Sequence, residues 1–296
     1  MPTYRTPEPV DLAVNLPLGH IDVIASDRTD AVVTVSPSNP DKPADQRGAA
    51  ATTVEFDGRR ITVLGPRPRF RFLGPSESVD ITVELPEGSR FTAECSTGGV
   101  RATGRLAATR VKASVGAVDL DATGDLWLHA AYGNATVGTV DGSAEVVAGH
   151  GQIRIGTVAG DAALKSSYGS VHLGTAHAAV EATLSYGDLH IDGSASSVTA
   201  RTAYGSVTVG EARGGALDLE SSFGTIVVGV ADGVPAWLDL SSTQGQLRNR
   251  LDGSTVPSTG EHVSIRARTL YGDIEIRRAH SVSDSARSVE DEGTRS

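Results

Sequence analysis

The sequence predicts an all-β fold: a single-stranded β-solenoid (β-helix-like) with coils of about 18 residues and a β-rich N-terminal cap. Three observations predict it. A glycine recurs at nearly constant spacing, an aromatic residue stands before several of these glycines, and the residues on either side alternate between apolar and polar.

The repeat is clearest in Tyr168-Gly169-Ser170-Val171-His172-Leu173-Gly174, Tyr186-Gly187-Asp188-Leu189-His190-Ile191, Tyr204-Gly205-Ser206-Val207-Thr208-Val209-Gly210 and Phe223-Gly224-Thr225-Ile226-Val227-Val228-Gly229. Weaker copies stand at Gly98, Gly116, Gly133, Gly151, Gly245 and Gly272. The successive spacings are 18, 17, 18, 18, 18, 18, 19, 21 and 27, and five of the six tyrosines directly precede one of these glycines. A fixed period of this kind is the mark of a stacked-repeat architecture.

Each limb of the coil reads as a strand. Two and four residues after the glycine come Val171 and Leu173, Leu189 and Ile191, Val207 and Val209, with His172, His190 and Thr208 between them. Seven, five and three residues before Gly224 come Leu217, Leu219 and Ser221, separated by Asp218 and Glu220. A period of two puts one set on a buried face and the other in solvent. A third short face is expected to carry Val140, Val158, Ala176 and Ala212. One coil cannot bury its own inner face. Stacking coils about 4.8 Å apart closes the core and pairs the backbone. Gly133, Gly151, Gly169, Gly187, Gly205, Gly224 and Gly272 are then the structural repeat positions, corners that need a positive φ or close backbone approach. The aromatics before them are expected to form a ladder.

Residues 10–95 are less regular but still alternate, as in His20-Ile21-Asp22-Val23-Ile24 and Val79-Asp80-Ile81-Thr82-Val83. They read as β-rich N-terminal coils or a meander capping the solenoid, because an open coil end exposes unpaired backbone. Residues 1–9 are expected to be a flexible N-terminus, 96–278 the regular solenoid continuous with the cap, and 279–296 a disordered tail. Residues 36–50, 66–78 and 250–261 read as loops, and no helix is expected anywhere.

Composition narrows the function classes. The formal charge is −10, which disfavours nucleic acid as a partner. Cys95 is the only cysteine, so neither an intramolecular disulfide nor a cysteine-based metal cluster exists. Its place three residues before a repeat glycine is an inward slot. No apolar run of the length of a membrane helix occurs and no signal peptide is evident, so membrane insertion is not expected and the cytoplasm is the expected location.

The recurring Tyr-Gly-Asp/Ser-Val/Ile units resemble the bacterial "putative adhesin" family of uncharacterised β-solenoid repeat domains. So do the opening Leu-Pro-Leu-Gly-His-Ile-Asp-Val-Ile and the later Val-Asp-Ile-Thr-Val-Glu-Leu-Pro-Glu-Gly, over roughly residues 10–278. The resemblance implies a structural repeat and carries no catalytic residues.

Four groups of residues are candidate sites. His172 and His190 occupy one outward position on successive coils, with Asp188 two residues before His190. Two imidazoles and a carboxylate are a ligand set for Zn²⁺ or a similar ion, and the plainer reading is a solvated face. Tyr168, Tyr186 and Tyr204 form the ladder and are a candidate platform for sugars. Asp119, Asp121, Asp188, Asp218, Glu220, Asp239, Asp273 and Glu275 recur on outer faces, where a hydrolytic pair would need two carboxylates roughly 5–10 Å apart. Arg67-Pro68-Arg69-Phe70-Arg71-Phe72 is the one basic-aromatic run, read as an edge whose charges block aggregation. The expectation is a non-enzymatic, adhesin-like scaffold or interaction protein with no cofactor, binding a protein partner or itself. The alternative is a carbohydrate-binding or polysaccharide-processing β-helix protein.

Overall fold

The computed structural model describes residues 2–66, 77–251 and 262–279. Two long sheets face each other across one core, with 14 and 13 strands respectively. From Arg90 to Val230 each coil gives one strand to each sheet. Strands that precede a repeat glycine, such as Val180–Tyr186 and Val198–Tyr204, lie in one sheet. Strands that follow it, such as Leu189–Ser194 and Val207–Ala212, lie in the other. All these pairs are parallel, and Val171, Leu189 and Val207 stand in one register row, a coil of 18 residues apart.

The alternation decides which side chains go in. Ile155, Leu173, Ile191, Val209, Val228 and Ile276 form one inner row, each exposed by 2 % or less. Burying a side chain of this size contributes about 1.5–3 kcal/mol, repeated on every coil. Val140, Val158, Ala176 and Ala212 are as well buried but make no third face. They close the far ends of the post-glycine strands, so the coil is flattened between two sheets.

The glycine corner is doubly restricted. Gly205 has φ +152°, and a Cβ placed on it would sit 2.0 Å from the Gly187 carbonyl oxygen of the adjacent coil. Only glycine meets both conditions. Its carbonyl then accepts a hydrogen bond from a small inward hydroxyl, Ser221 Oγ, at 3.0 Å. Ser166, Ser242 and Thr269 do the same for Gly169, Gly272 and Gly224.

Both ends depart from simple stacking in chain order. The coil Val263–Tyr271 and Ile274–Arg278 lies between the coil containing Phe223 and the coil Ala236–Gln244 and Leu247–Arg250. So Gly272 stacks on Gly224, and Gly245 follows outside it. The residues explain the order. Ile265, Ala267, Ile274 and Ile276 need cover on both sides and are fully buried, whereas Leu247 and Asn249 occupy inner slots of the outermost coil and remain exposed.

The N-terminal end mirrors this. Asp11–Leu18 and Ile21–Ser26 form a coil with its corner at Gly19. It is held between Arg90–Thr97 and Val100–Arg105 on one side, and Arg60–Leu64 and Val79–Pro86 on the other. Antiparallel strands then end the stack. Thr53–Phe56 pairs with Arg60–Leu64, and Asp30–Pro37 pairs with Val79–Pro86. Residues 1–9 were expected to be flexible, but Thr3–Arg5 pairs with Asp30–Pro37, and the Tyr4 ring lies 4.8 Å from that of Phe56. The otherwise unpaired edge of Asp30–Pro37 takes up this segment.

A second expectation also gives way. Residues 36–50 read as a loop, yet Pro43–Ala51 is an α-helix. Pro43 in the first turn needs no backbone N–H there, and the alanines favour helix. The buried Asp45 carboxylate accepts the Ser78 N–H at 3.0 Å and meets Lys42 Nζ at 3.1 Å, tying the helix to the start of the strand Val79–Pro86. The basic-aromatic run 67–72, most of the loops 66–78 and 250–261, and the tail beyond Ala279 lie outside the described residues.

Candidate functional site

Where the residue after a corner glycine is Asp or Asn, its side chain caps the adjacent coil. Ser206 N–H donates to Asp188 Oδ1 at 2.8 Å, Gln152 N–H to Asn134 Oδ1 at 3.0 Å, and Gln246 N–H to Asp273 Oδ1 at 2.8 Å. Ser170 and Ser206 make the same contact at 3.4 Å, and the caps hold those corners from which the preceding aromatic points outwards.

Seven rings stack there without a break: Tyr132, His150, Tyr168, Tyr186, Tyr204, Phe223 and Tyr271. Neighbouring centroids are 4.7–5.0 Å apart and the planes agree within 4°. The six tyrosine and phenylalanine rings are 42–55 % exposed. Those centroid distances make the stack an offset parallel one. Each inner ring therefore covers both faces with its neighbours and shows its edge to solvent. At about 4.8 Å per step the ladder runs roughly 29 Å. Tyr168, Tyr186 and Tyr204 are brought together as their spacing predicts. His150 was missed, although it directly precedes Gly151. Tyr271 reaches Phe223 only through the inserted coil, which spacing alone does not reveal.

The histidines also meet. His172 and His190 are register partners with ring centroids 5.1 Å apart. Asp188, expected beside them, instead caps Ser206. The third group is Asp192, whose carboxylate lies 3.0 Å from His172 Nε2 and 2.9 Å from His190 Nε2. All three side chains are about half exposed.

Four of the eight outer acidic residues face arginines. Glu220 pairs with Arg201 at 3.2 Å, Asp239 with Arg266 at 3.2 Å, Asp273 with Arg248 at 3.5 Å and Glu275 with Arg250 at 3.4 Å. Asp121 accepts the Gly104 N–H at 3.2 Å. At the opposite corner the Ser143 backbone N–H and hydroxyl hold the Asp125 carboxyl below the ordinary carboxylate value. Cys95 is buried as its slot predicts, its Sγ facing the Gly19 carbonyl at 3.8 Å, and burial pushes its thiol up to about 11.

Fold and corner together define a two-sheet parallel β-solenoid with an exposed aromatic ladder. The chain belongs to the Toastrack DUF4097 family, whose model matches residues 11–294. That agrees with the resemblance read from the tyrosine–glycine units. No curated protein matches the chain. Among solved structures, it is similar to a "putative adhesin" from Bacteroides fragilis, with 12 % identity, 93 % of this chain and 95 % of that one covered, and a TM-score of 0.32. It is also similar to a "putative lipid binding protein" from Parabacteroides distasonis, with 11 % identity, coverage of 94 % and 96 %, and a TM-score of 0.40. A "putative adhesin" from Parabacteroides merdae gives 10 % identity, the same coverages and a TM-score of 0.40. No helix among the described residues is long and apolar enough to cross a membrane.

Proposed function

We propose that the chain is a non-enzymatic interaction scaffold that presents its aromatic ladder to a protein partner. The carrying observation is the unbroken strip of half-exposed rings from Tyr132 to Tyr271. Apolar surface that runs on continuously, flanked by polar strands, marks an interaction surface more often than scattered exposed residues do. A parallel solenoid holds such a strip rigidly, so little ordering entropy is lost on binding.

The ring geometry supports a protein over a saccharide. A sugar stacks on the flat face of an aromatic ring, and here the inner faces are covered by neighbouring rings. What remains is a row of ring edges and tyrosine hydroxyls, which suits side chains packing across the strip.

The test is a photo-crosslinking amino acid placed at Tyr186, compared with the same group at Thr183 on the outer face of that strand. A protein adduct formed in the native cell at position 186, and lost when Tyr168 and Tyr204 are changed to serine, is expected. Absence of any protein adduct at position 186, together with glycan-array binding that Tyr186→Ala abolishes, overturns this reading in favour of the carbohydrate alternative.

A further inference from the structure

We propose that His172, His190 and Asp192 form a site for one divalent transition-metal ion of the zinc class, separate from the aromatic ladder. Three observations carry it: the convergence of the donors, the register that fixes them, and the residue that Asp192 replaces.

The donors first. His172 Nε2, His190 Nε2 and the Asp192 carboxylate lie within 4.8 Å of one another. A tetrahedral zinc ion with ligand distances of about 2.0–2.2 Å holds its donors about 3.3 Å apart. The observed His–Asp separations of 3.0 and 2.9 Å need to open by only a few tenths of an ångström. Two imidazoles and one carboxylate suit zinc, copper, nickel or iron more than calcium or magnesium. Three protein ligands leave a further coordination position for water or an anion. Both nitrogens are Nε2, so neutral rings protonated at Nδ1 present their lone pairs to the ion.

The backbone fixes the pair. His172 and His190 are partners in parallel strands, set by the same register that aligns Leu173 with Ile191 beneath them. Arg154 adjoins His172 in this outer row and Thr208 adjoins His190. One cation therefore flanks the site on one side only.

The third observation is independent of the histidines. Five residues after the corner glycine, other coils carry Gly138, Gly156, Gly174, Gly210 and Gly229. A Cβ on any of these would lie 1.9–2.6 Å from a carbonyl oxygen of an adjacent coil. On the six successive coils with corners from Gly133 to Gly224 this row is glycine at every position except Asp192, while Thr103, Asp121, Arg250 and Arg277 occupy it nearer the ends of the stack. Aspartate enters it twice: Asp121 binds the Gly104 N–H, and Asp192 turns to the two histidines. Within that run of six coils a side chain is admitted only at the one where it completes a ligand triad.

Tag-free protein titrated with Zn²⁺ by calorimetry tests the site, with Co²⁺ as a spectroscopic probe of ligand geometry. One ion per chain is expected, with the visible spectrum of a four- or five-coordinate Co²⁺ complex. Asp192→Gly restores the glycine of the row and should keep the fold by circular dichroism. It should still weaken Zn²⁺ binding by at least about tenfold, a loss that even the outer partners of metal ligands produce. His172→Asn and His190→Asn, on outward strand positions, give the same readout should the glycine variant fail to fold. His20→Gln, at the separate His20–Asp80 pair, should leave binding unchanged. Failure of the wild-type chain to bind Zn²⁺, or binding that survives loss of His190 and Asp192, overturns the proposal.

Discussion

Three glycines on neighbouring coils separate the two demands that the corner makes on its backbone. Gly205 has φ +152° and would place a Cβ 2.0 Å from the Gly187 carbonyl oxygen. Gly210 lies outside the positive-φ set, but its Cβ would stand 2.6 Å from the Asp192 carbonyl oxygen. Gly193 also lies outside that set, and its Cβ would meet nothing within 4 Å. An unfavourable backbone conformation costs about 1–3 kcal/mol. Forcing a methyl group into packed structure costs about 1–3 kcal/mol. Gly205→Ala should therefore destabilise the protein by roughly 2–6 kcal/mol. Gly210→Ala should cost about half of that. Gly193→Ala should stabilise by about 0.4–1 kcal/mol, through lost freedom of the unfolded chain. For a chain of this size each kcal/mol moves Tm by about 2–4 °C. Differential scanning calorimetry should thus show Gly205→Ala melting at least about 4 °C lower. Gly193→Ala should melt slightly higher. Equal shifts for Gly205→Ala and Gly193→Ala would refute the stacked-corner reasoning.

Ring deletion should scale with the number of faces uncovered. Tyr186→Ala loses two stacking partners and Tyr132→Ala loses one, so urea unfolding should show a cost about twice as large for Tyr186, at about 0.5–1.5 kcal/mol per pair at most. The Asp45 carboxyl is held below its ordinary value of 3.8, first by the Ser78 N–H and then by Lys42. Its contribution is present above the unfolded pKa and is lost as pH falls through the lowered folded value, so Asp45→Asn should flatten the acid limb of a stability-versus-pH curve. Cys95, with its thiol raised to about 11 by burial, should stay unreactive to a thiol reagent in native buffer and react on unfolding; rapid native labelling would contradict its inward placement.

The solenoid was legible because each coil repeats one local rule: alternation fixes the inner rows, and the glycine fixes the corner. What escaped the sequence was what depends on non-local order. The inserted coil at Val263–Arg278 cannot be inferred from spacing, although Asn249 in an inner slot was a signal that its coil lies outermost. The helix at Pro43–Ala51 was hidden by a composition that reads equally well as a loop, and it is tied down by Asp45 reaching a distant strand. The histidine pair followed from the period. Its carboxylate was assigned to Asp188 because that residue has the right parity, whereas the corner claims Asp188 for the Ser206 N–H and Asp192 departs from the glycine row.

The displaced coils change how such a rod comes apart. In a stack ordered like its chain, the last turn peels first and thermal breathing begins at the terminus. Here the strands Asp11–Leu18 and Val263–Tyr271 are each clamped between two parallel neighbours. Beyond the short edge strand Thr3–Arg5, opening starts from the outermost coils, whose strands lie in the interior of the chain, and the coils nearest the chain ends are released only after them.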